Sequence, residues 1–375
     1  MSEAPPPAAP LVAALPASRP FVAPEELARR TGRATLVRLG ANESAFGAPP
    51  AALAAMRSEL ERIAWYGDPE STELREALAA RHGCGVENIT VAAGIDDLLG
   101  LAVRAYLAPG DAAVATYGSY ATYAYHVTGY GAKLETVPYD PGGSQNLAAL
   151  VARAHDTRAR HVYLANPDNP SGSFVGADDV RAFADLLPPD ALLILDEAYG
   201  DFVAPGDLLP EAIDPRILRM RTFSKAYGLA GARIGYCVAD PSIIATFAKI
   251  RLQFGVNRSA QAGALVALGE RAFVADVVAE VARGRAEYRA LGERLGLGTL
   301  PSHTNFVCFD IGSRERAEAM VEALLDRGIF VRKPGAPPLD GHIRVSVGTA
   351  SQRAEFAQAL AEALATLATN PVSCP

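Results

Sequence analysis

The sequence predicts an α/β protein, with a mostly parallel sheet between helices followed by a smaller α+β unit. Three observations predict it. Short apolar runs alternate with amphipathic stretches from residue 89 to 223, the rhythm of βαβ crossovers. Runs such as Ala112 to Thr116 are continuously apolar, as strands buried on both faces are. After Tyr236 the pattern changes to long helical stretches and then to strand–helix–strand pieces.

The elements follow in order. Residues 1–20 are rich in Pro and Ala and read as a flexible arm. Arg38 to Ser44 is a polar turn after a weak strand. Asp68-Pro69 reads as a helix start, with Asp68 as N-cap and Pro69 at the first helical position. Leu74, Ala77 and Leu78 give that helix its apolar face, and Gly83 ends it. Ile89 to Ala92 is a strand, and Gly94 leads into a helix from Ile95 to Leu107. Ala112–Thr116, Leu134–Val137, His161–Leu164, Ala191–Leu195 and Ile217–Phe223 are further strands, with helices at 147–155 and 177–187. Ile243–Leu252 and Ala260–Leu295 read as long helices. Strands at Phe306–Phe309, Ile329–Arg332 and Ile343–Val347, with helices at Ala317–Arg327 and Gln352–Ala368, complete the chain. With 375 residues, half of them hydrophobic, two domains are expected. The expected division is an arm over 1–37, a large unit over 38–270 and a small one over 271–375.

In open α/β sheets, ligands sit at the carboxyl ends of strands. The strand ends here carry Gly94-Ile95-Asp96, Thr116-Tyr117-Gly118, Asn166 to Gly172, Asp196 to Tyr199, and Ser224-Lys225. Lys225 lies in a loop of small residues and glycines, where desolvation would make it an amine nucleophile. Ser224 and Arg233 beside it suit a phosphate. Together they suggest a Schiff-base site for a phosphorylated aldehyde, pyridoxal 5′-phosphate. Asp196, after four aliphatic residues, needs a buried cationic partner such as a pyridinium nitrogen. Asn169 and Tyr199 suit the ring oxygen; for Asn169 the alternative is a turn residue before Pro170. Tyr117 suits stacking on the ring or core packing. The N–H groups of Gly94, Ile95 and Asp96 suit a phosphate, against the charges of Asp96 and Asp97. Arg344, inside an apolar strand, suits a substrate carboxylate or else faces water at a sheet edge. Arg332 on the preceding strand extends an anionic pocket.

A net charge of −7 argues against general affinity for nucleic acid or acidic membranes. No stretch reaches the ~18 apolar residues of a membrane span, and no Lys or Arg precedes Arg19 to make a signal peptide. Cys84, Cys237, Cys308 and Cys374 are scattered and the six histidines have no metal spacing. No metal site is therefore expected, and reduced thiols suit a cytoplasmic protein.

The segments Gly40-Ala41-Asn42-Glu43, Tyr66-Gly67-Asp68-Pro69, Thr116 to Tyr120, Asn166 to Gly172, Asp196-Glu197-Ala198-Tyr199, Thr222 to Arg233 and Ile343 to Thr349 resemble the class I/II, fold-type I pyridoxal-phosphate aminotransferases. Within them the chain most resembles the histidinol-phosphate aminotransferase branch, from about Arg38 to Ala368. The resemblance implies a seven-stranded-type large domain. It makes Lys225 the Schiff-base lysine and proton shuttle, Asp196 the partner of the ring nitrogen, Asn169 and Tyr199 the holders of the ring oxygen, and Tyr117 the stacking ring. Ser224, Arg233 and the Gly94–Asp96 backbone would hold the cofactor phosphate, joined by Tyr66 from the neighbouring subunit of a homodimer. Arg344 would anchor the substrate carboxylate and Arg332 a substrate phosphate, with Asn42 and Phe21 near the substrate. Two departures stand out. Ile95 occupies a position where many members carry Ser or Ala, and Phe21 one where the branch usually carries Tyr. The implied reaction is amino transfer to 2-oxoglutarate, with an amino alcohol phosphate or, alternatively, an aromatic amino acid as donor. A decarboxylase acting on threonine phosphate shares the framework. A non-catalytic regulator would carry an appended DNA-binding domain, for which the short arm leaves no room.

Overall fold

The structure is a computed structural model that describes residues 6–16, 22–32, 36–210 and 212–369. Phe21 and much of the expected arm lie outside the described residues. Among those described, eleven strands run in chain order: β1 Val37–Arg38, β2 Ile89–Ala92, β3 Ala112–Thr116, β4 Lys133–Val137, β5 His161–Ala165, β6 Leu192–Asp196, β7 Ile217–Thr222, β8 Gly235–Val238, β9 Phe306–Asp310, β10 Ile329–Phe330 and β11 His342–Ser346. Seven of them form one mixed sheet in the order β2-β8-β7-β6-β5-β3-β4. Only β8 runs against its neighbours, so the expected mostly parallel α/β sheet is present. β5, β6 and β7 are buried along their whole length; the largely apolar runs of β5 and β6 require this, whereas β7 buries Arg219 and Arg221 as well.

The sheet's two faces are covered by helices. Ile95–Tyr106 packs Leu98, Leu99 and Val103 into one apolar cluster with β3, β5 and β7 residues. On the other face, Leu150, Val180 and Phe183 pack against Val162 and Leu193. A separate cluster lies toward the C-terminus, where Phe306, Phe309 and Val345 meet Phe356 and Leu360. There β9 and β11 pair antiparallel, and β10 pairs with β1 in parallel. The chain thus returns its residues 37–39 to the C-terminal part, with Leu39 in that core.

Several local expectations change. The helix after Asp68 begins at Thr72, not Pro69. The Asp68 carboxylate instead accepts the N–H groups of Glu70 at 2.9 Å and Thr72 at 2.6 Å, which holds the preceding turn. The long stretch from Ala260 splits into Arg258–Gly269 and Arg271–Leu295 where Glu270 leaves helical geometry with ψ 52°. The helix at Ile243 ends at Ala248. Residues Pro10–Ala13 and Pro24–Thr31 form helices within the expected arm, each with Pro in its first turn. β8 went unread because four residues opening on Gly235 carry almost no periodic signal.

The lysine loop is held by close backbone packing. Gly228 has φ +68°, and a Cβ there would sit 1.8 Å from the Gly47 carbonyl oxygen. Gly228→Ala is therefore expected to destabilise the protein by at least ~2 kcal/mol, through left-handed strain and displacement of the Gly47 segment. Urea unfolding should show a lower midpoint, and an unchanged midpoint would refute this account.

Candidate active site

Five strand ends deliver their polar residues to one cavity of about 630 Å³. β6 ends in Asp196, which is 4% exposed. Its carboxylate accepts only neutral donors, Tyr163 Oη–H at 2.8 Å and Ala198 N–H at 3.0 Å. Burial pushes its carboxyl up to about 6 against these two hydrogen bonds. Among the described residues it has no salt-bridge partner. Such an acid gains from a cation brought by a ligand.

Lys225 follows β7, the strand next to β6. Its Nζ donates to the Asn42 carbonyl at 3.1 Å and lies 5.6 Å from the Tyr199 ring centre. Burial, with help from the Arg344 charge, lowers its ammonium to about 8. Tyr199 is buried, with its hydroxyl pushed up to about 12 by burial, and accepts from Asn42 Nδ2 at 2.9 Å.

A third cluster suits an anion. Gly94 has φ +93°, and a Cβ there would stand 2.7 Å from Arg233 Nη2. A glycine is thus needed for the guanidinium to approach the N-terminus of helix Ile95–Tyr106, whose first-turn N–H groups have no intrahelical acceptors. Ser224 Oγ accepts from Thr222 Oγ1 at 2.9 Å, which leaves its own proton for the cavity. The Asp96 carboxylate accepts from Tyr120 Oη at 2.7 Å and lies 3.5 Å from Arg233. Its charge is therefore partly answered within the site.

The fourth cluster comes from β11 and its neighbours. Arg344 donates to Asn169 Oδ1 and to the Gly40 carbonyl, with its buried Nε lacking a partner. It lies inside the cavity, so the alternative of an edge arginine facing water does not hold. Arg332 lines the same cavity, and burial with the Arg344 charge lowers its guanidinium. Two half-buried guanidiniums at one wall favour an anionic ligand between them.

Two expected residues stand outside the cavity wall, and a third is engaged with the protein itself. Tyr117 is 53% exposed and is not part of the cavity wall, where Tyr120, Tyr125, Tyr163 and Tyr199 are the aromatic residues. Tyr66 is 79% exposed and packs on Phe254 with centroids 4.5 Å apart. Asn42 lines the cavity, but both polar ends of its side chain are bonded inside the protein, to Tyr199 and Ser346. Its side chain is thus engaged with protein neighbours, which leaves one Nδ2 proton uncommitted. Sequence reasoning missed Tyr163, Thr222, Tyr120 and Ser346. Only the sheet register, which sets Tyr163 beside Ile194 on β6, shows that Tyr163 reaches Asp196.

Residues 34–360 match the family model of aminotransferase class I and II. The chain belongs to the class I and II aminotransferases. A histidinol-phosphate aminotransferase 2 of Pseudomonas fluorescens is 38% identical over 348 residues, spanning 91% of this chain and 93% of that one. A histidinol-phosphate aminotransferase 1 of Thiobacillus denitrificans is 38% identical over 364 residues, 96% of this chain and 94% of that one. The crystal structure of a histidinol-phosphate aminotransferase from Sinorhizobium meliloti in complex with pyridoxal-5′-phosphate superposes with a TM-score of 0.93 at 42% identity, covering 97% of this chain and 99% of that one.

In this aminotransferase the two strands that carry Asp196 and Lys225 are tied together from behind. Glu197 accepts from Arg219 Nε and Nη2 at 3.0 Å each and from Arg221 Nε at 3.1 Å. All three side chains are at most 10% exposed. Glu197→Ala leaves two buried guanidiniums without their carboxylate, and a loss of ~3–5 kcal/mol is expected, read as a lower denaturant midpoint. For the lysine, the sign of the pH dependence is set by its lowered ammonium. The free amine predominates above about pH 8. In the apoenzyme, labelling of Lys225 by an amine reagent should rise with pH to a midpoint near 8, located by peptide mass spectrometry. A midpoint near that of an exposed lysine would contradict it.

Proposed function

We propose that this aminotransferase works with pyridoxal 5′-phosphate and transfers the amino group of an amino alcohol phosphate of the histidinol-phosphate type to 2-oxoglutarate. The observation that carries the reading is one cavity holding a buried, unpaired-in-charge carboxylate, a lysine of lowered basicity and two facing arginines. The donor set fits the cofactor. Asp196 would meet the ring nitrogen, Tyr199 and Asn169 the ring oxygen, and Ser224, Arg233 and the Gly94, Ile95 and Asp96 amides the phosphate. When bound, the cofactor supplies an electron sink for the electrons left when the substrate Cα–H proton departs. The chain's own residues do the rest. Lys225 Nζ, neutral in part near neutral pH, takes that proton and returns it. Arg344 holds and orients the carboxylate of 2-oxoglutarate, and Arg332 holds the phosphate of the amino donor. The names of the relatives support the phosphorylated donor. An aromatic amino acid is the second reading, favoured by the Tyr120 and Tyr125 rings in the cavity wall.

A homodimer is part of this proposal. Leu60, Ile63, Trp65, Tyr66, Leu252 and Phe254 are each more than half exposed, an apolar surface suited to a second copy. Tyr66 would then add its hydroxyl to the neighbour's phosphate site. The core around β9 and β11 supports the division near residue 270, with residues 37–39 joining the smaller part and Tyr199, Phe202 and Ala226 of the larger part packing against it. The free thiols Cys84, Cys237 and Cys308 suit a cytoplasmic enzyme. No helix among the described residues is long and apolar enough to cross a membrane.

Lys225→Ala is expected to abolish turnover, and an active variant would sink the proposal. A donor panel then identifies the substrate. Arg332→Ala should lower kcat/KM for the phosphorylated donor about 10–100-fold, the worth of a charged hydrogen bond, while sparing unphosphorylated donors. An equal loss for both would exclude the phosphate role. Carbon dioxide release without an amino acceptor would mark a decarboxylase instead.

A further inference from the structure

Ser346 lies on β11 two residues beyond Arg344, on the same face of the strand, and is 2% exposed. Its hydroxyl bonds the same residue twice. The Asn42 backbone N–H donates to Ser346 Oγ at 3.0 Å, and Ser346 Oγ–H donates to Asn42 Oδ1 at 3.0 Å. This double contact is possible because Asn42 adopts a left-handed backbone, φ +55°. Asn42 Nδ2 then donates to Tyr199 Oη at 2.9 Å.

Each link in this chain has one polarity. A backbone N–H can only donate, so the serine oxygen accepts there and its single proton goes to Oδ1. With Oδ1 engaged, the nitrogen end of the amide must face Tyr199. That nitrogen has no lone pair to offer, so the tyrosine oxygen accepts and its own proton is left for the cavity. Without Ser346 the amide is free to turn over, present Oδ1 to Tyr199 and absorb the phenolic proton inside the protein.

We propose that Ser346 is a positioning residue that acts through Asn42 to hold the Tyr199 hydroxyl as a hydrogen-bond donor into the cavity. The inference rests on the reading of Tyr199 as partner of the cofactor's ring oxygen. One strand then serves both ends of the site, with Arg344 toward the substrate and Ser346 toward the cofactor's environment. Asn42 also places its carbonyl on Lys225 Nζ and Asn305 Nδ2, each at 3.1 Å, so an amide held still by Ser346 also steadies the lysine.

The test is a pH titration of the visible absorbance of the reconstituted pyridoxal-phosphate holoenzyme. A donor at the ring oxygen stabilises the more anionic, deprotonated form of the chromophore, so loss of the donor moves the transition to higher pH. The charged groups that act on Tyr199 are Arg344, Asp196 and Asp168, and those that act on Lys225 are Arg344, Glu43, Asp96 and Arg233. None of them is altered in the variants. Tyr199→Phe should give the full upward shift. Ser346→Ala should shift the transition upward by about 0.5–1 pH unit, a hydrogen bond lost in part. Ser346→Ala combined with Tyr199→Phe should titrate as Tyr199→Phe alone. If Tyr199→Phe shifts the transition but Ser346→Ala titrates as wild type, the role of Ser346 is wrong and that of Tyr199 stands. A Ser346→Ala shift that adds in full to that of Tyr199→Phe also overturns it, because the effect then bypasses Tyr199. If Tyr199→Phe leaves the titration unmoved, the reading of Tyr199 falls and takes the inference with it.

Discussion

A single carboxylate shared by two guanidiniums inside the protein holds the catalytic end of the sheet together. Glu197 follows the last residue of β6 and grips Arg219 and Arg221 of β7. Asp196, Tyr199 and Lys225 all lie within a few residues of that grip, on either side of it. Buried ion pairs seldom add net stability over apolar packing, but removing one member strands the others. Asp201, raised by burial and facing the Arg221 charge, adds a second acid to the same group. Any slip between β6 and β7 would separate these charges, so their register is strongly specified. The site's geometry inherits that precision.

On the cavity side the charges are left incomplete. Asp196 is buried among neutral donors and raised toward 6, while Lys225 is lowered toward 8. Both shifts have burial as their first cause, and both bring a group closer to titrating near neutral pH. The guanidiniums of Arg344 and Arg332 stand at the third wall with a buried Nε still to be answered. The protein has invested folding energy in groups that a ligand completes. A cationic ring nitrogen, a phosphate and a carboxylate are the complements these walls call for.

Asn42 connects the parts that the chain order keeps apart. Its neighbours Arg38 and Leu39 pair with β10 and β11, while its amide and carbonyl reach Tyr199 and Lys225 at the ends of the central sheet. Gly40 sits against the Phe330 ring, 2.8 Å from where a Cβ would be, so this crossing is tightly packed. Asn42 and the Arg344–Asn169 contact thus tie the C-terminal part to the central sheet, together with the His303 N–H to Gly172 carbonyl bond.

Much of this was legible in the sequence. Unbroken apolar runs gave the buried strands, because a strand covered on both faces needs no polar alternation. Lys225, Asp196, Asn169 and Arg344 were legible because each is a polar residue where an apolar run stops or is interrupted. Helix starts were less so: Asp68 serves a turn before the helix, since the same side chain can bond either set of N–H groups. Sequence by itself determined the fold class, the strand ends and the chemistry that their residue types permit. Only the tertiary structure decided that Tyr163 bonds Asp196, that Glu197 binds two arginines and that Ser346 orients Asn42. These contacts join residues 22 to 304 positions apart, and no local pattern encodes a hydrogen bond whose partners meet only after the sheet has formed.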